Sequence, residues 1–492
     1  MKLAELMKGI PLGDGVASLE VSGIAENSRQ ILPGMLFVAL KGTRADGMAF
    51  ARQAVSQGAA AILAGFDAPD EDFGVPVIRV VDPRRVLAKA AAAFYGRQPK
   101  VVAGVTGTNG KTSVASFARQ IWTSVGHDAA SLGTVGVVTS RGEQPLHHTT
   151  PDAITLHQIL AGLERSGVTH LAVEASSHGL DQRRLDGVIF AATAFTNISR
   201  DHLDYHATFE DYLDAKLRLF RELAPKGSPA IIDADAPGGT EAAEAARRAG
   251  LDVRSVGREG GAITLREVEQ VGFRQRLTLS CGGRDLRVEL PLSGDFQVSN
   301  ALVAAGIAIA TGCHDVAAIT ALAALRGAKG RLEFVGETAS GAPVFIDYAH
   351  TPDALAKALG ALRPYAARRL HVVFGCGGDR DAGKRPQMGL IAAQNADIVT
   401  VTDDNPRSEE PALIRRAILA AAPGAREIAN RAEAIATAIG ELEKGDVLLI
   451  AGKGHETGQT IGTLTLPFSD HEEVARVLAL SGHDKRGKVA HG

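Results

Sequence analysis

Gly107-Thr108-Asn109-Gly110-Lys111-Thr112 follows the apolar run at residues 101–105 and opens a helical stretch at 112–122. In that setting the backbone N–H groups of a glycine loop point at a phosphate, a lysine neutralises β/γ oxygens and a Thr hydroxyl reaches Mg2+. Lys111 and Thr112 take those two parts, and Gly107 to Ser113 form the cradle. The standard motif places glycine where Val105 stands, and the nearest upstream glycine is Gly104. The chain contains no Asn-Lys-x-Asp motif for guanine readout, so ATP is the expected nucleotide.

Glu174 ends the apolar run 171–173, where an NTPase places the carboxylate that holds Mg2+ directly or through water. A strand-end Glu taken alone is more often a helix cap. Ser176-Ser177-His178 follow it, and Asn197, Asp201, His202, Asp204 and His206 crowd a later strand end, too densely for an ordinary surface loop. Spacing does not decide between His202 and His206 as the metal-facing residue. Lys216 lies on an amphipathic stretch and, from its local sequence, reads as a surface lysine.

These groups need a scaffold that brings several strand ends together. At ~150 residues per domain, 492 residues make about three domains. A small α/β unit, with strands near 37–40 and 60–63 and a helix at 51–57, closes near residue 92. The turn residues 95–100 mark the first boundary. A strand–loop–helix rhythm then runs from residue 101 and includes strands at 171–173 and 191–195. After the polar stretch 326–331 a third series follows, at 344–346, 370–374, 398–401 and 447–450. The expected fold is therefore α/β in three domains. A smaller N-terminal α/β domain covers 1–97, a central P-loop ATPase-like parallel-sheet domain 98–330, and a C-terminal Rossmann-like α/β domain 331–492. Strand after strand ends in a polar or glycine-bearing cluster, the place where open parallel sheets bind ligands.

Composition narrows the classes further. Glycine is abundant, 55 residues or about 11% against a usual ~7%. Turns that hug a ligand account for such an excess. A formal charge of −3 gives no field for gathering nucleic acid. Three scattered cysteines, Cys281, Cys313 and Cys376, form no CxxC pair and point to a reducing cytoplasm. The apolar segment 301–310 is too short to span a membrane and reads as a buried helix. Residues 481–492 read as a frayed tail.

The string 107–113, Glu174-Ala175-Ser176-Ser177-His178-Gly179 and Asp201-His202-Leu203-Asp204-Tyr205-His206 resemble the Mur ligase family of ATP-dependent amide-forming enzymes. Asp347-Tyr348-Ala349-His350-Thr351-Pro352 and Gly375-Cys376-Gly377-Gly378-Asp379-Arg380 extend the resemblance over all three domains. The motif order is that of members that add the third residue to the UDP-N-acetylmuramoyl dipeptide in peptidoglycan precursor synthesis. Asp404-Asn405-Pro406-Arg407 looks like the signature for meso-diaminopimelate, as against lysine. An Arg grips a carboxylate bidentately, and diaminopimelate carries a second carboxylate at its far end.

The resemblance implies roles residue by residue. Ser28 and the turn Thr43-Arg44-Ala45 meet the uridine-diphosphate end; His148, Thr149, Thr150, Ser176, Gln182 and Arg184 line the muramoyl-dipeptide path. Lys216 captures CO2 as a carbamate that helps hold a second Mg2+, with Glu174 and His202 at the other metal-facing positions, which replaces the surface reading of that lysine. Arg380, Asp404, Asn405, Pro406, Arg407, Gly452 and Glu456 form the diaminopimelate pocket. Asn300 and Arg331 are adenine-side and hinge contacts to ATP, and Asp347 and His350 face the nucleotide. Asn27 replaces a frequent Asp before Ser-Arg, and Ala207 a usual Gly after the second histidine.

These roles imply phosphorylation of a D-glutamate carboxylate, attack by the amine on the acyl phosphate, and closure of the C-terminal domain during the cycle. The sequence assigns no general base for the amine, although His350 is a candidate. Small-molecule substrates, a monomer, no nucleic acid and no membrane insertion complete the expectation. Folylpolyglutamate synthetase shares the phosphate-loop and lysine logic but needs neither the Ser28 region nor residues 404–407. A lysine-adding member of the family is the nearer rival, and a P-loop switch or motor would need no carboxylate-gripping pocket.

Overall fold

The computed structural model describes residues 1–487 except Asp14, Thr43, Arg44, His147 and Asp204. The chain divides into two units, Met1–Val256 with Gly306–His314, and Gly257–Ala305 with Asp315–Gly492.

The first unit begins with a parallel sheet of β1 (Ile24–Ala25), β2 (Leu36–Val38), β3 (Ala61–Gly65) and β4 (Val77–Val80), in that order. The helix Pro83–Tyr95 follows β4. Proline stands in its first turn, the Asp82 carboxylate accepts from the Arg85 N–H, and Gly96 ends the helix at φ 67°.

The second sheet of this unit contains β5 (Val101–Thr106), β6 (Ala129–Gly133), β7 (Gly136–Thr139), β8 (Gly142–Gln144), β9 (His170–Glu174), β10 (Ala192–Phe195), β11 (Pro229–Asp233) and β12 (Asp252–Gly257). The order β12-β11-β10-β5-β9-β6 is parallel, and β7 and β8 add an antiparallel edge. Strand β5 is an almost unbroken apolar run because helices cover both faces of a parallel sheet. Its register pairs Thr106 with Phe195 and Val105 with Glu174, so three strand ends that carry polar residues lie side by side. The helix Lys111–Ser124 buries Val114, Phe117, Ala118, Ile121 and Trp122, a helical spacing that packs one face on the sheet.

The second unit holds the antiparallel β13 (Ile263–Val271), β14 (Arg274–Cys281) and β15 (Arg284–Leu290). Its other sheet is β16 (Glu333–Glu337), β17 (Pro343–Asp347), β18 (Leu370–Phe374), β19 (Ile398–Val401), β20 (Arg426–Glu427) and β21 (Val447–Ala451), ordered β16-β17-β21-β18-β19-β20. All neighbours are parallel except β16 with β17. Asp347 pairs with Ala451, and Phe374 with Val401, which again aligns polar strand ends. A hairpin of β22 (Gly458–Ile461) and β23 (Leu464–Pro467) follows. One expectation is corrected: the helix Asp470–Gly487 includes residues 481–487 of the segment read as a frayed tail, and 488–492 lie outside the described residues. The parallel-sheet α/β class stands as expected.

Among the described residues, no helix is long and apolar enough to cross a membrane. All three cysteines are free and buried.

Candidate functional site

The phosphate loop sits where β5 hands over to its helix. Gly107 adopts φ 144°, and a Cβ there would stand 2.0 Å from the Thr196 hydroxyl, so only glycine fits. The strand end after β10 clasps the loop: Thr196 Oγ1 donates to the Asn109 carbonyl (2.6 Å), and Asn109 N–H donates to Asn197 Oδ1 (3.1 Å). The Ser199 N–H donates to Thr108 Oγ1 (3.0 Å), which also bonds Tyr212 Oη at 2.9 Å. Thr196, Ser199 and Tyr212 were not singled out from the sequence; only their position after a strand or beside Lys216 hinted at them.

Two lysines converge on one carbonyl. Lys111 Nζ donates to Gly107 O (2.9 Å) and Thr108 O (2.8 Å), and Lys216 Nζ donates to Gly107 O at 2.7 Å. Lys216 is 1% exposed, which corrects the reading of a surface lysine. Burial first, and then the Lys111 charge, hold its pKa well below the usual lysine range, while Asp201 pulls weakly the other way. Its Nζ lies 4.2 Å from the Tyr212 ring centroid. The shift is toward the neutral amine.

Glu174 is buried and fully engaged. Its Oε2 accepts from Thr112 Oγ1 (3.1 Å) and Thr134 Oγ1 (3.1 Å), and its Oε1 from the Thr134 N–H (2.8 Å). The alternative of a helix cap is settled by Ser176, whose hydroxyl accepts from the Gly179 N–H. Thr112 and Glu174 offer the hard oxygen donors that suit Mg2+. Among the described residues no cluster of three metal-ligating side chains occurs. A Mg2+ held by one carboxylate, one hydroxyl and substrate phosphates needs no such cage, so the donor set fits. His202 has a 43% exposed side chain and φ 53°, with Nε2 3.5 Å from Asp201; His206 is buried. Both rings belong to an aromatic cluster with His178, Tyr205 and Tyr212.

From Glu174 a hydrogen-bonded path runs outward. Thr134 Oγ1 bonds Thr149 Oγ1 (3.1 Å), Thr150 Oγ1 donates to Glu174 O (2.7 Å), and Thr150 and Ser176 hydroxyls lie 2.9 Å apart. Arg184 donates to Thr150 O (2.5 Å) and Gln182 Oε1 (2.7 Å). Five of the six residues expected along the dipeptide path are therefore joined, while His148 is exposed at its edge. Thr134 was missed because a Thr after a Gly in a turn has no chemical signature of its own.

Further along the same unit, Ser28 donates to Gln53 Oε1 (3.1 Å) beside a cavity of about 390 Å3 whose walls include Ser28, Gly42, Ala45 and Arg84. Thr43 and Arg44 lie outside the described residues. Asn27, in place of an Asp, still caps the following turn through its Oδ1.

In the second unit the strand ends of β17, β18, β19 and β21 collect the remaining groups. Asp347 accepts from the Leu332 (2.5 Å) and Ala349 (2.7 Å) N–H groups, and burial pushes its pKa up to about 6 against the pull of Arg331. Arg331 lies over the Tyr348 ring at 4.8 Å. Asn300 and Arg331 are linked through Gln297, which accepts from Asn300 Nδ2 (3.4 Å) and donates to Arg331 O (3.3 Å). His350 Nδ1 lies 2.9 Å from the Tyr348 carbonyl, which favours a proton on Nδ1 and basicity at Nε2.

The loop after β19 is held tightly. Arg407, at φ 52°, donates Nη1 to Gly378 O (2.7 Å), and a Cβ on Gly378 would stand 2.0 Å from Pro406 O. A Cβ on Gly452 would meet Asp404 Oδ2 at 2.6 Å. Asn405 Nδ2 donates to Glu456 Oε2 (2.8 Å). Arg380 is exposed, so the structure gathers Asp404, Asn405, Pro406, Arg407, Gly452 and Glu456 but leaves Arg380 at the surface.

Comparison with known proteins follows the same three segments. Residues 20–95 match the Mur ligase family catalytic domain, 105–308 the Mur ligase middle domain, and 330–454 the Mur ligase glutamate ligase domain. The UDP-N-acetylmuramoyl-L-alanyl-D-glutamate--2,6-diaminopimelate ligase of Bradyrhizobium diazoefficiens is 59% identical over 484 residues, 97% of this chain and 99% of that protein. The ligase of the same name from Brucella melitensis is 57% identical over 480 residues, 97% and 98% of the two chains. A solved structure of a ligase of that name superposes with a TM-score of 0.72 at 31% identity, covering 98% of this chain and 99% of the other.

Proposed function

The chain belongs to the Mur ligase family, and on that premise we propose that it is an ATP-dependent, ADP-forming ligase that joins 2,6-diaminopimelate to UDP-N-acetylmuramoyl-L-alanyl-D-glutamate in peptidoglycan precursor synthesis. The observation that carries this reading is a relationship of more than half of all positions, over nearly the whole length, to ligases of that name. The two engaged strand-end groups, one built on a phosphate loop and one on Arg407, support it chemically.

Amide formation from a free carboxylate is uphill in water, so the D-glutamate carboxylate first takes the γ-phosphoryl of ATP and becomes an acyl phosphate. The amine then attacks the acyl carbon and phosphate leaves. The loop 107–113 holds the β/γ-phosphates, and Lys111, now turned onto its own loop carbonyls, swings to the phosphate oxygens. Thr112 and Glu174 would hold Mg2+, and a second ion would use Glu174, His202 and a carbamate on Lys216. Bound there, the ions neutralise charge as two polyanions approach. The neutral Lys216 amine is the form that adds to CO2.

Arg184, Gln182, Thr150 and Ser176 orient the dipeptide, and Ser28 with the adjoining cavity takes the uridine-diphosphate end. Arg407 grips the distal carboxylate of the meso form, Glu456 and Asp404 meet ammonium groups, and His350 Nε2 accepts the proton lost by the attacking amine. Residues 1–97, 98–330 and 331–492 serve the uridine, ATP and amino-acid ends; the three family matches support that division. A monomer in the cytoplasm, where ATP is available, completes the reading.

The test is ADP release with ATP and the UDP-muramoyl dipeptide. Diaminopimelate is expected to stimulate turnover and lysine is not. Stimulation by lysine alone would assign the lysine-adding activity, and stimulation by neither would refute the ligase.

A further inference from the structure

One buried cation of the second unit has no part in the mechanism above. Lys453 is 0% exposed, and its Nζ donates to Gly458 O (2.7 Å) and Asn405 Oδ1 (3.0 Å) and stands 3.5 Å from Glu456 Oε2. Asn405 Oδ1 also accepts from the Thr460 N–H at 3.0 Å. Two donors aimed at one amide oxygen determine which end of the amide is which, and so its Nδ2 must face Glu456, to which it donates at 2.8 Å. Lys453 and Asn405 thus both engage the same carboxylate oxygen, Oε2, leaving Oε1 as the oxygen not bonded by either.

From this geometry we propose that Lys453 is a positioning residue that selects the amino-acid substrate, by locking the Asn405 amide and turning the Glu456 carboxylate toward a ligand's ammonium group. The proposal rests on the amino-acid pocket assigned above. Its chemistry is that of a zwitterion receptor. Burial and the neighbouring Asp404 make Glu456 easier to protonate than an ordinary glutamate, and Lys453 opposes both effects. Burial also lowers the Lys453 pKa, while Asp404 and Glu456 hold it up, so each charge of the pair depends on the other. The same lysine ties the start of β22 to the pocket through Gly458 O, and Thr460 on that strand accepts from the Arg407 N–H (3.0 Å). Loss of Lys453 therefore loosens Asn405, Glu456 and the strand that carries the Arg407 contact, and among the described residues none of its hydrogen bonds involves residues 107–113.

The test compares full-length wild type with Lys453→Met, which removes charge and donor, and Lys453→Gln, which removes charge and keeps a donor. Steady-state ADP release is measured against each substrate in turn from pH 6.5 to 9. The expectation is a KM for diaminopimelate raised about tenfold or more in Lys453→Met. KM for ATP and for the UDP-muramoyl dipeptide stays at the wild-type value, and Lys453→Gln recovers part of the loss. The rise in KM should steepen toward low pH, as Glu456 without its counter-charge takes up a proton. An equal change in all three KM values, or a diaminopimelate KM unchanged in a folded variant, overturns the proposal. Failure of both variants to fold also overturns it, by making Lys453 a counter-ion of the core. A wild type that does not respond to diaminopimelate indicts the functional reading instead, and is seen before any variant is made.

Discussion

Lys216 and Lys453 are buried to the same degree, one in each unit, but in opposite surroundings. Lys216 donates a hydrogen bond to a loop carbonyl that it shares with a second lysine. Lys453 bonds an amide oxygen and a carbonyl, and has Glu456 beside it. An ammonium group taken out of water without a counter-charge gives up its proton, whereas one with a counter-charge keeps it and orders its partners. The same residue type is therefore pushed toward its neutral form in the first unit, where a second lysine adds to the effect of burial, and held nearer its charged form by carboxylates in the second.

The largest effect should come from breaking the first half of this contrast. Lys216→Ala is expected to lower kcat by about 10²–10³-fold, with short-chain carboxylic acids restoring part of the rate by standing in for the carbamate. Steady-state ADP release with and without acetate checks this, and a carbonyl signal from labelled bicarbonate in wild type, absent from the variant, would identify the modification. Full activity in the variant would remove the case for a reactive amine.

Next in size is the pocket around Lys453. Arg407→Ala should reduce kcat/KM for diaminopimelate about 100-fold, since a carboxylate loses its bidentate partner, with KM for ATP unchanged. An unchanged kcat/KM would show that the carboxylate is gripped elsewhere.

The smallest effect sharpens the physical rule with a third buried base, His157. Burial alone lowers its pKa from 6.5 to about 4. The unfolded chain binds the proton more readily, so stability rises with pH between about 4 and 6.5 and is lost as pH falls through that window. The loss reaches about 2 kcal/mol by pH 5. Replacing His157 with Leu should flatten the decline in Tm between pH 7 and pH 5. An equally steep decline would show that desolvation is not what sets that histidine's charge.

How much of this was legible beforehand varied with distance along the chain. The phosphate loop and its helix are a contiguous stretch whose strand, glycines and Lys-Thr pair declare their purpose locally, and the structure has them as read. The pattern of apolar runs likewise placed β5, β9 and β10 of the central sheet and β17, β18, β19 and β21 of the last, because a buried parallel strand is recognisable from its own residues, whereas β6, β11 and β12 went unread. The residues 404–407 were recognisable only by resemblance. Nothing local says that the Arg407 backbone is left-handed or that two glycines make room for its loop.

Short-range periodicity and residue type are enough to set the α/β class, the position of the phosphate loop and the kinds of groups at the strand ends. Only the folded chain shows that Lys216 is buried against a carbonyl 109 positions away, that Glu174 is engaged by Thr134, and that the buried Lys453 donates to Asn405. Protonation, burial and hydrogen-bond partnership depend on which distant segments exclude water from a side chain. Those segments meet only after the sheets have assembled.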